Sequence, residues 1–501
     1  MHDERLYPPA RRGEVQQRER RGEVQRRESV PVRPRKLCGA AIGFFFTLTQ
    51  CRHGISDARL AILQYHPPRV SILISACCDT RDDINRVPGC GSGRGRGASG
   101  SGSVPEAGRD APHDLNLRIH GDLAHVEAEW RRFEAVADCT VFQTFDWLAA
   151  WHRHIGLRAR VQPAVAVGRF ANGDTAFIVP LCVAPHGPAR RLCWLGQELC
   201  DYNAPLLARD FSERVTAERF LEVWRELRLR LQQDPLFRHD WIDLEKMPQT
   251  LGAQRNPFTC LDVSPNASGA HLTQLGGGWE EFYTAKRSSA TRRRDRAKRR
   301  HMSEYGDVQF ATAAEAADAR RTLEILMEQK SRALVRKGVA DMFARPGWRE
   351  FFLDLATNPQ TRHLVHVARL QVGADAVAAN FGVVFGGCYY HVLASYCEDS
   401  RAAHFGPGAL HLRELLKYAI ERGLQRFDFT IGDERYKLEW CDSSLKLYDH
   451  AAAATWRGWP ASRAAAARRR LKRLIKQTPW VWNAVSAART ALGSFSRPAR
   501  P

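Results

Sequence analysis

Residues 388–430 read CYYHVLASYCEDSRAAHFGPGALHLRELLKYAIERGLQRFDFT, and their pattern decides the fold. The apolar and aromatic run Cys388–Tyr396 predicts a strand, and Ala409–Arg422 has the apolar spacing of a helix. Gly423 ends this helix, and Gln425–Thr430 predicts a second strand. The stretch therefore predicts a strand–helix–strand unit, which is typical of an α/β fold.

The elements before this unit extend it to a longer order. We predict, in chain order, helix Trp279–His301, strand Val308–Ala311, helices Ala313–Lys337 and Gly347–Asn358, and strands His363–Gln371 and Ala376–Phe385. Gly386 and Gly387 then join Ala376–Phe385 to the strand Cys388–Tyr396 as a tight hairpin. Counted from Val308, the order is β-α-α-β-β-β-α-β.

The same order occurs once more in the preceding part of the chain. Its elements are strand Leu115–His120, helices Asp122–Val136 and Asp146–Ile155, strands Val161–Gly168, Thr175–Ala184 and Arg191–Leu195, helix Thr216–Leu231 and strand Trp241–Leu244. The repeat is one of pattern and not of residue identity. We therefore predict two tandem α/β halves with mixed central sheets, residues 113–265 and 266–452, and a basic helical tail, residues 453–501.

Residues 1–112 lack such a pattern. Arg11–Glu19 (RRGEVQQRE) nearly repeats as Arg20–Glu28 (RRGEVQRRE), and residues 89–102 consist mainly of Gly, Ser and Arg. Two explanations are open for this segment. It is either a disordered extension or the product of a start codon assigned too far upstream.

The charge of the 501-residue chain predicts an anionic partner. Its 75 Lys and Arg outnumber 55 Asp and Glu, which gives a formal net charge of +20; nucleic acid, CoA phosphates, sugar nucleotides and an anionic membrane all fit. Thirteen cysteines without a CxxC pair indicate neither a metal site nor a disulfide framework. The longest apolar run, Leu37–Thr49, is too short to span a bilayer. We expect a cytoplasmic protein, either free or peripheral to the inner membrane.

Two segments concentrate the basic charge. Lys286–Arg300 has nine basic residues and no aromatic residue, which is typical of a solvated helix face; phosphates of a duplex or a tRNA are the alternative ligands. The tail from Trp456 to Ser494 mixes tryptophans with Lys and Arg, a composition typical of membrane-surface segments. Its alternative is a basic helix packed on the domain with its tryptophans buried.

A glycine-rich turn precedes the helix of the opening unit. Gly406 and Gly408 let the backbone approach a ligand closely, and the first N–H groups of a helix suit a pyrophosphate. We assign Gly406, Gly408 and Ala409 to a candidate cofactor-binding site. The alternative is an ordinary loop that leads into a helix.

The strand after this helix carries an aspartate between two phenylalanines. Because alternate strand residues point to opposite faces, Asp428 can reach a polar cleft and deprotonate an amine. An edge-strand aspartate that faces water is the alternative. Tyr436 and Lys437 follow closely and can supply a phenolic donor and a cation to a leaving thiolate or a substrate phosphate.

A third polar segment lies in the first half, where Asp201 and Tyr202 follow a predicted strand. Acidic and phenolic groups at this place can form one wall of an acceptor pocket. The alternative is an Asx turn in which the Asp201 carboxylate accepts hydrogen bonds from nearby backbone N–H groups.

Several short motifs follow one another along residues 115–450. They are Val141-Phe142-Gln143, Trp147, Leu195-Gly196, Asp201-Tyr202, Gly406-Pro407-Gly408, Phe427-Asp428-Phe429, Gly432, Tyr436-Lys437 and Trp440. Together they resemble the GNAT-type acetyltransferase domain of the cellulose-biosynthesis (CelD-like) family. That group is related to the Fem-type ligases, which also pair two GNAT-like halves.

The resemblance implies that acetyl-CoA or another acyl-CoA binds near Gly406 and Gly408, without a metal. An amine or hydroxyl would attack the thioester directly, with no covalent enzyme intermediate. One residue departs from the family pattern: Ala403 stands where the GNAT phosphate loop has Arg or Gln.

The family motif fixes no catalytic base. From its strand position, Asp428 is the first candidate for this base, with His391 and Asp201 behind it. Tyr436 joins them as a catalytic candidate, and the candidate substrate-binding residues are Tyr202, Lys437 and Trp440.

The leading interpretation is an acyltransferase of cell-envelope or exopolysaccharide metabolism that acts on a small-molecule or glycan-precursor acceptor. Two alternatives stay open. One is a Fem-like ligase that takes an aminoacyl group from a tRNA held by Lys286–Arg300. The other is a catalytically silent GNAT-like module that recruits partners to the membrane through its tail.

Overall fold

The computed structural model describes residues 115–478 and 480–481, and the extension predicted for residues 1–112 lies outside them. The strands are β1 Asn116–His120, β2 Gln162–Arg169, β3 Thr175–His186, β4 Ala189–Trp194, β5 Leu206–Leu207, β6 Trp241–Pro248, β7 Thr250–Leu251, β8 Gln254–Arg255, β9 Val263–Pro265, β10 Ala270–Gln274, β11 Val308–Thr312, β12 Val365–Val372, β13 Asp375–Phe385, β14 Cys388–Tyr396, β15 Arg426–Ile431, β16 Ser443–Leu445 and β17 Leu447–Ala453. The helices are α1 Glu127–Glu134, α2 Phe145–Trp151, α3 Phe211–Arg214, α4 Ala217–Gln233, α5 Trp279–Lys286, α6 Ser289–Ser303, α7 Ala316–Arg336, α8 Trp348–Thr357, α9 Pro407–Glu421, α10 Arg435–Leu438 and α11 Trp459–Gln477.

The first sheet has the strand order β1-β2-β3-β4-β6-β17-β9, and β5 pairs with β3. Its neighbouring strands are antiparallel except β4 and β6, which run parallel. The connection between these two strands contains α4. One apolar stripe of this helix is buried in the structure: Phe220, Trp224, Leu227 and Leu231.

The second sheet repeats this arrangement in the order β11-β12-β13-β14-β15-β10-β16. Its strands are antiparallel except β14 and β15, which run parallel and are connected through α9. The predicted α/β fold, with two similar halves, mixed sheets and a helical tail formed by α11, is confirmed.

One strand of the second half, β17, lies in the first sheet. β9 lies in the first sheet while β10, which follows it, lies in the second; β16 lies in the second sheet while β17 lies in the first. The boundary predicted at residues 265–266 falls between β9 and β10, and the boundary predicted at residues 452–453 falls inside β17. The division into domains at these residues stays a prediction.

An apolar core joins the halves. Trp147 of α2 packs edge-on against Phe351 of α8, with ring centroids 5.0 Å apart, and Phe142 packs against Tyr390 of β14 at 5.8 Å. These residues belong to one buried cluster with members from both halves. Because such burial is the main stabilising contribution to folding, the first half holds its side chains firmly against the second sheet.

The helix predicted over Trp279–His301 is two helices, and the single-helix prediction is wrong. α5 ends at Lys286, and the Ser288 hydroxyl caps α6 by accepting a hydrogen bond from the Thr291 N–H at 3.2 Å. A serine at this position stabilises a new helix start more than continuation of the old helix. None of the helices in the described part of the chain combines the length and the apolar composition that a membrane span requires.

Candidate active site

The second sheet opens between its two parallel strands. β14 and β15 pair at three positions, of which the last is Tyr390 opposite Asp428, although both strands continue beyond it. Between Phe381 and Gly382 of β13 the register with β14 shifts by one residue. Such a bulge bends a strand locally, and the bend coincides with the place where β14 leaves β15.

Asp428 lies at this opening. Its side chain is buried, and Oδ1 accepts hydrogen bonds from the Tyr202 hydroxyl and the Thr430 backbone N–H, both at 2.7 Å. Burial raises the pKa of the carboxyl to about 6, and the two hydrogen bonds oppose this rise. A carboxyl with this pKa is mostly ionised at neutral pH and can accept a proton.

The backbone after Asp428 is unusual. Thr430 has a φ of 60°, in the left-handed region that β-branched residues rarely adopt. Its N–H bonds to Asp428, and its hydroxyl donates to the His391 carbonyl at 3.4 Å. Strained residues of this kind cluster at functional sites.

Tyr202 reaches Asp428 from the first half. The Gln143 side-chain amide donates to the Tyr202 carbonyl at 2.7 Å, and the Phe142 ring packs edge-on against the Tyr202 ring at 5.5 Å. The motif Val141-Phe142-Gln143 therefore positions this tyrosine. Burial, together with the neighbouring Asp428, raises the pKa of Tyr202 well above its usual value, so the phenol keeps its proton and donates a hydrogen bond to Asp428.

Three further predicted residues lie in this region. Burial raises the pKa of Asp201, while Lys246 opposes the rise. Burial, with Lys437 and Lys330 nearby, lowers the pKa of His391 to about 3, so its imidazole is neutral at physiological pH. The buried ammonium of Lys437 donates to the Ile431 carbonyl at 2.8 Å and pairs with Glu434 at 3.0 Å.

The start of α9 is open to a ligand. Gly406 has a φ of 69°, in the region that favours glycine, and Pro407 is the first helical residue. No side chain among residues 115–478 caps this helix start. The N–H groups of Gly406 and Ala409 donate to the carbonyls of Ala403 at 3.2 Å and Gly406 at 3.1 Å, so within this turn the Gly408 N–H can bind an anion. A Cβ built on Gly408 would meet the Tyr396 ring at 3.5 Å, an ordinary contact.

Basic side chains surround this helix start. A recess that includes Gly406 and Ala409 is lined by the basic residues Arg287, Lys298, Arg299 and Arg413 and by one acidic residue, Asp295. A Cβ built on Gly406 would lie 3.8 Å from Nζ of Lys298. Lys298 has no carboxylate partner within residues 115–478, whereas Arg299 pairs with Glu414 at 2.9 Å. Lys298 of helix α6 thus supplies positive charge beside this turn, where Ala403 replaces the Arg or Gln of the family pattern.

A cavity of about 610 Å³ lies between the halves. Its lining includes Tyr202, Tyr390 and Asp428, on the face of the second sheet opposite the one that α9 covers. Charged residues of both signs also line it, namely Glu134, Asp138, Arg209 and Arg426. Among the described residues, no group of three or more His, Cys, Asp or Glu side chains is placed to hold a metal ion.

Residues 289–438 match the family model described as an acetyltransferase (GNAT) domain. The matched segment runs from the start of α6 to the end of α10, and it therefore includes the start of α9, Asp428 and Lys437. This match confirms the predicted acyltransferase class. The finer link to the cellulose-biosynthesis (CelD-like) family stays a prediction.

Several solved structures are similar to this chain at low sequence identity. FemX has 10% identity over 64% of this chain and 95% of its own, with a TM-score of 0.45. The C-terminal domain of a putative lysylphosphatidylglycerol synthetase from Agrobacterium fabrum has 11% identity over 69% and 96%, with a TM-score of 0.41. A tandem GNAT protein from the clavulanic acid biosynthesis pathway has 11% identity over 68% and 99%, with a TM-score of 0.39. The search of curated proteins gave no match.

Two predicted site residues lie apart from Asp428. Trp440 stacks with Phe282 and Tyr283 in the core under α9, and the Arg287 guanidinium lies 4.2 Å from its ring centroid. It therefore lines the recess at Gly406. Tyr436 is 39% exposed on α10, and burial of its hydroxyl raises its pKa above the usual value.

Sequence reasoning missed the contribution of Lys298 and Arg413 to the recess. Lys298 lies in α6 and Arg413 lies in α9. The two side chains come together only because α6 packs on the loop before α9. The density of basic residues in Lys286–Arg300 was a signal, but it did not indicate which ligand they face. The unusual φ of Thr430 left no signal in the sequence.

Proposed function

We propose that this chain transfers an acyl group from acyl-CoA to an amine or hydroxyl of a small acceptor, with Asp428 as the general base. The surroundings of Asp428 carry the proposal. Its buried carboxyl has a raised pKa, is held by two hydrogen bonds and lines the cavity between the halves. It also follows α9, the helix whose start is suited to a pyrophosphate.

The recess at Gly406, about 30 Å³ in volume, suits one phosphate group of CoA. The Gly408 N–H offers a donor at the start of α9, and Lys298 adds positive charge beside it, while Arg413 is paired with Glu414 at 3.2 Å. Gly406 and Ala409, whose N–H groups donate to the Ala403 and Gly406 carbonyls, would shape the turn around the phosphate. The ammonium group of Lys298, which has no carboxylate partner among residues 115–478, would take the phosphate-binding role of the Arg or Gln that the family pattern has at the position of Ala403.

The chain's residues would act mainly by positioning and by proton removal. Acyl-CoA supplies the acyl group as a thioester. Asp428 would take the proton of the acceptor nitrogen or oxygen as that atom forms a bond to the acyl carbon and the bond to sulfur breaks. Tyr202 would fix the direction of the carboxylate.

The other candidates take lesser roles. His391 would remain a neutral hydrogen-bonding group, and Lys437 would hold the loop after β15 through its bonds to Ile431 and Glu434. The raised pKa of Tyr436 makes it a poor acid towards a departing thiolate. It is therefore proposed as a hydrogen-bond donor, and water would return the proton to sulfur.

The acceptor would enter through the cavity between the halves. Arg209 and Arg426 with Glu134 and Asp138 give its lining both charges, which suits a polar acceptor such as a sugar or an amino sugar. The resemblance to the cellulose-biosynthesis family supports a glycan precursor of the cell envelope as this acceptor.

Calorimetry with acetyl-CoA tests the donor. The full chain should bind it, and Lys298→Ala should weaken binding about tenfold, because a phosphate contact is lost. Arg296→Ala, an exposed residue of the same helix outside the recess, is the matched control and should bind like the wild type. Release of CoA thiol in the presence of amino sugars then reports turnover.

Two outcomes would reject the proposal. Absence of heat at millimolar acetyl-CoA would favour the silent binding module. Acyl transfer that requires charged tRNA and ignores acetyl-CoA would favour the Fem-like ligase, with the tRNA held by the exposed arginines of α6.

A further inference from the structure

The tail helix α11 packs on the first sheet through one face. Ser462, Ala465 and Arg469 are its buried residues, and it contacts β6 and β17. Its inward basic residues are bound by the protein: Arg469 pairs with Asp243 and with Glu245, the latter at 2.9 Å, and Arg473 donates to the Pro265 carbonyl at 3.1 Å. These contacts fix the helix and decide which face it turns outward.

The outward face exposes large apolar side chains. Trp456 is 85% exposed, Trp459 59%, Leu471 55% and Leu474 62%. The sequence allows two interpretations of the tail, a membrane-surface segment and a helix packed on the domain with its tryptophans buried. The helix does pack on the domain, but these two tryptophans are not buried. Trp456 and Trp459, with Pro460, also line a shallow apolar depression at the start of the helix.

Basic residues are interleaved with this apolar surface. From Trp456 to Thr478 the sequence has no Asp or Glu. The exposed basic residues of α11 are Arg463, Arg468, Arg470 and Lys472. Neither Arg463 nor Arg470 has a carboxylate partner among residues 115–478, and the guanidinium of Arg463 lies 5.7 Å from the Trp459 ring centroid.

We infer that the outward face of α11, together with Trp456, binds the surface of an anionic lipid bilayer. Tryptophan and leucine side chains enter the boundary between headgroups and acyl chains, while arginines pair with lipid phosphates. A nucleic acid would use the arginines and leave Leu471 and Leu474 in water, so the apolar part of this face favours lipid. The helix would lie in the plane of the membrane surface.

Vesicle co-sedimentation with the full chain tests this inference. The probes are phosphatidylcholine vesicles with and without about a quarter of phosphatidylglycerol. Binding to the anionic vesicles should be at least about tenfold tighter and should weaken as salt is raised. Trp456→Ala with Trp459→Ala, and separately Arg463→Glu with Arg470→Glu, should each reduce binding about tenfold.

The matched control is Arg293→Glu with Arg296→Glu on α6. It makes the same charge change on a helix with exposed arginines but without exposed tryptophan, and it should leave vesicle binding within about twofold. Circular dichroism checks that each variant is folded.

Three results would overturn the inference. The full chain does not co-sediment with anionic vesicles; the tail variants bind as tightly as the wild type; or the α6 variant loses as much binding as the tail arginine variant, which would indicate diffuse charge attraction. A short DNA duplex, tested at the same salt concentration, provides the competing ligand. Tail-dependent binding of the duplex without vesicle binding would also reject the membrane.

Discussion

In the first sheet β4 and β6 pair in parallel at three positions, ending with Cys193 opposite Asp243. In the second sheet β14 and β15 do the same, ending with Tyr390 opposite Asp428. The two aspartates therefore occupy equivalent places in the two halves. Their partners differ: Asp243 is paired with Arg469 and with Arg191, whereas Asp428 accepts a hydrogen bond from an uncharged phenol.

The space beside the two aspartates differs as well. The recess next to Asp243 measures about 30 Å³, against about 610 Å³ for the cavity next to Asp428. In the first half, a guanidinium from α11 compensates the carboxylate charge, and the tail covers this part of the sheet. The comparison supports the proposal that proton transfer takes place in the second half and that the first half supports the site structurally.

The largest effect is expected from Asp428→Asn. An amide keeps the shape of the side chain and still accepts from Tyr202, but it cannot take a proton from the acceptor. Loss of a general base lowers turnover by about 10²- to 10⁴-fold. Release of CoA thiol from acetyl-CoA in the presence of the acceptor measures it.

The control for this variant is Asp375→Asn, an exposed carboxylate at the start of β13, which should keep full turnover. Equal turnover of Asp428→Asn and the wild type would contradict the role of Asp428 as general base, and with it the proposed functional difference between the two halves. Binding of acetyl-CoA by both variants would show that the donor site is intact.

The next effect concerns the first half and is one of stability. Arg469→Met should lower the free energy of unfolding by about 3–5 kcal/mol, because it leaves Asp243 buried with an incomplete set of partners. Urea denaturation measures it. Arg463→Met, an exposed arginine of the same helix, should change stability by no more than about 0.5 kcal/mol. A small effect of Arg469→Met would mean that Arg191 alone compensates Asp243.

Much of the second half was predictable from local pattern. The strand expected over Cys388–Tyr396 has these bounds in the structure, and the helix and strand after it differ by one or two residues. The strand that crosses into the first sheet, β17, was missed, as were β10, β9 and β16. β9 and β16 have three residues each, which is too short for an apolar period to emerge.

The site was predictable one residue at a time but not as an arrangement. The position of Asp428 between Phe427 and Phe429 placed its side chain on the face opposite theirs, and the structure has the phenylalanines under α9. Its contact with Tyr202 joins residues 226 positions apart. Such a contact depends on how the halves pack, and no local spacing encodes it.

Asp428→Asn should also change how the free energy of unfolding depends on pH. The folded pKa of Asp428 is about 6, above its ordinary value of 3.8, so the folded protein holds this proton more tightly than the unfolded chain. Protonation of Asp428 therefore stabilises the folded protein. This contribution to the free energy of unfolding is fully present below about pH 4 and is lost as the pH rises through about 6. The variant avoids this loss and should be about 2 kcal/mol more stable than the wild type at pH 8, with no gain at pH 4. Urea denaturation at both pH values checks it; an equal difference at the two would contradict the raised pKa.

The smallest effect is expected from Tyr202→Phe, which removes the neutral partner that distinguishes Asp428 from Asp243. The Tyr202 hydrogen bond lowers the pKa of Asp428, so its loss moves the acid limb of the pH–rate profile to higher pH. Turnover should fall about tenfold below pH 6 and about twofold or less at pH 8, where Asp428 is ionised in both proteins. Tyr305→Phe, an exposed tyrosine, should leave the profile unchanged. A uniform loss at all pH values would instead assign Tyr202 to packing between the halves, since a packing defect does not depend on the ionisation of Asp428.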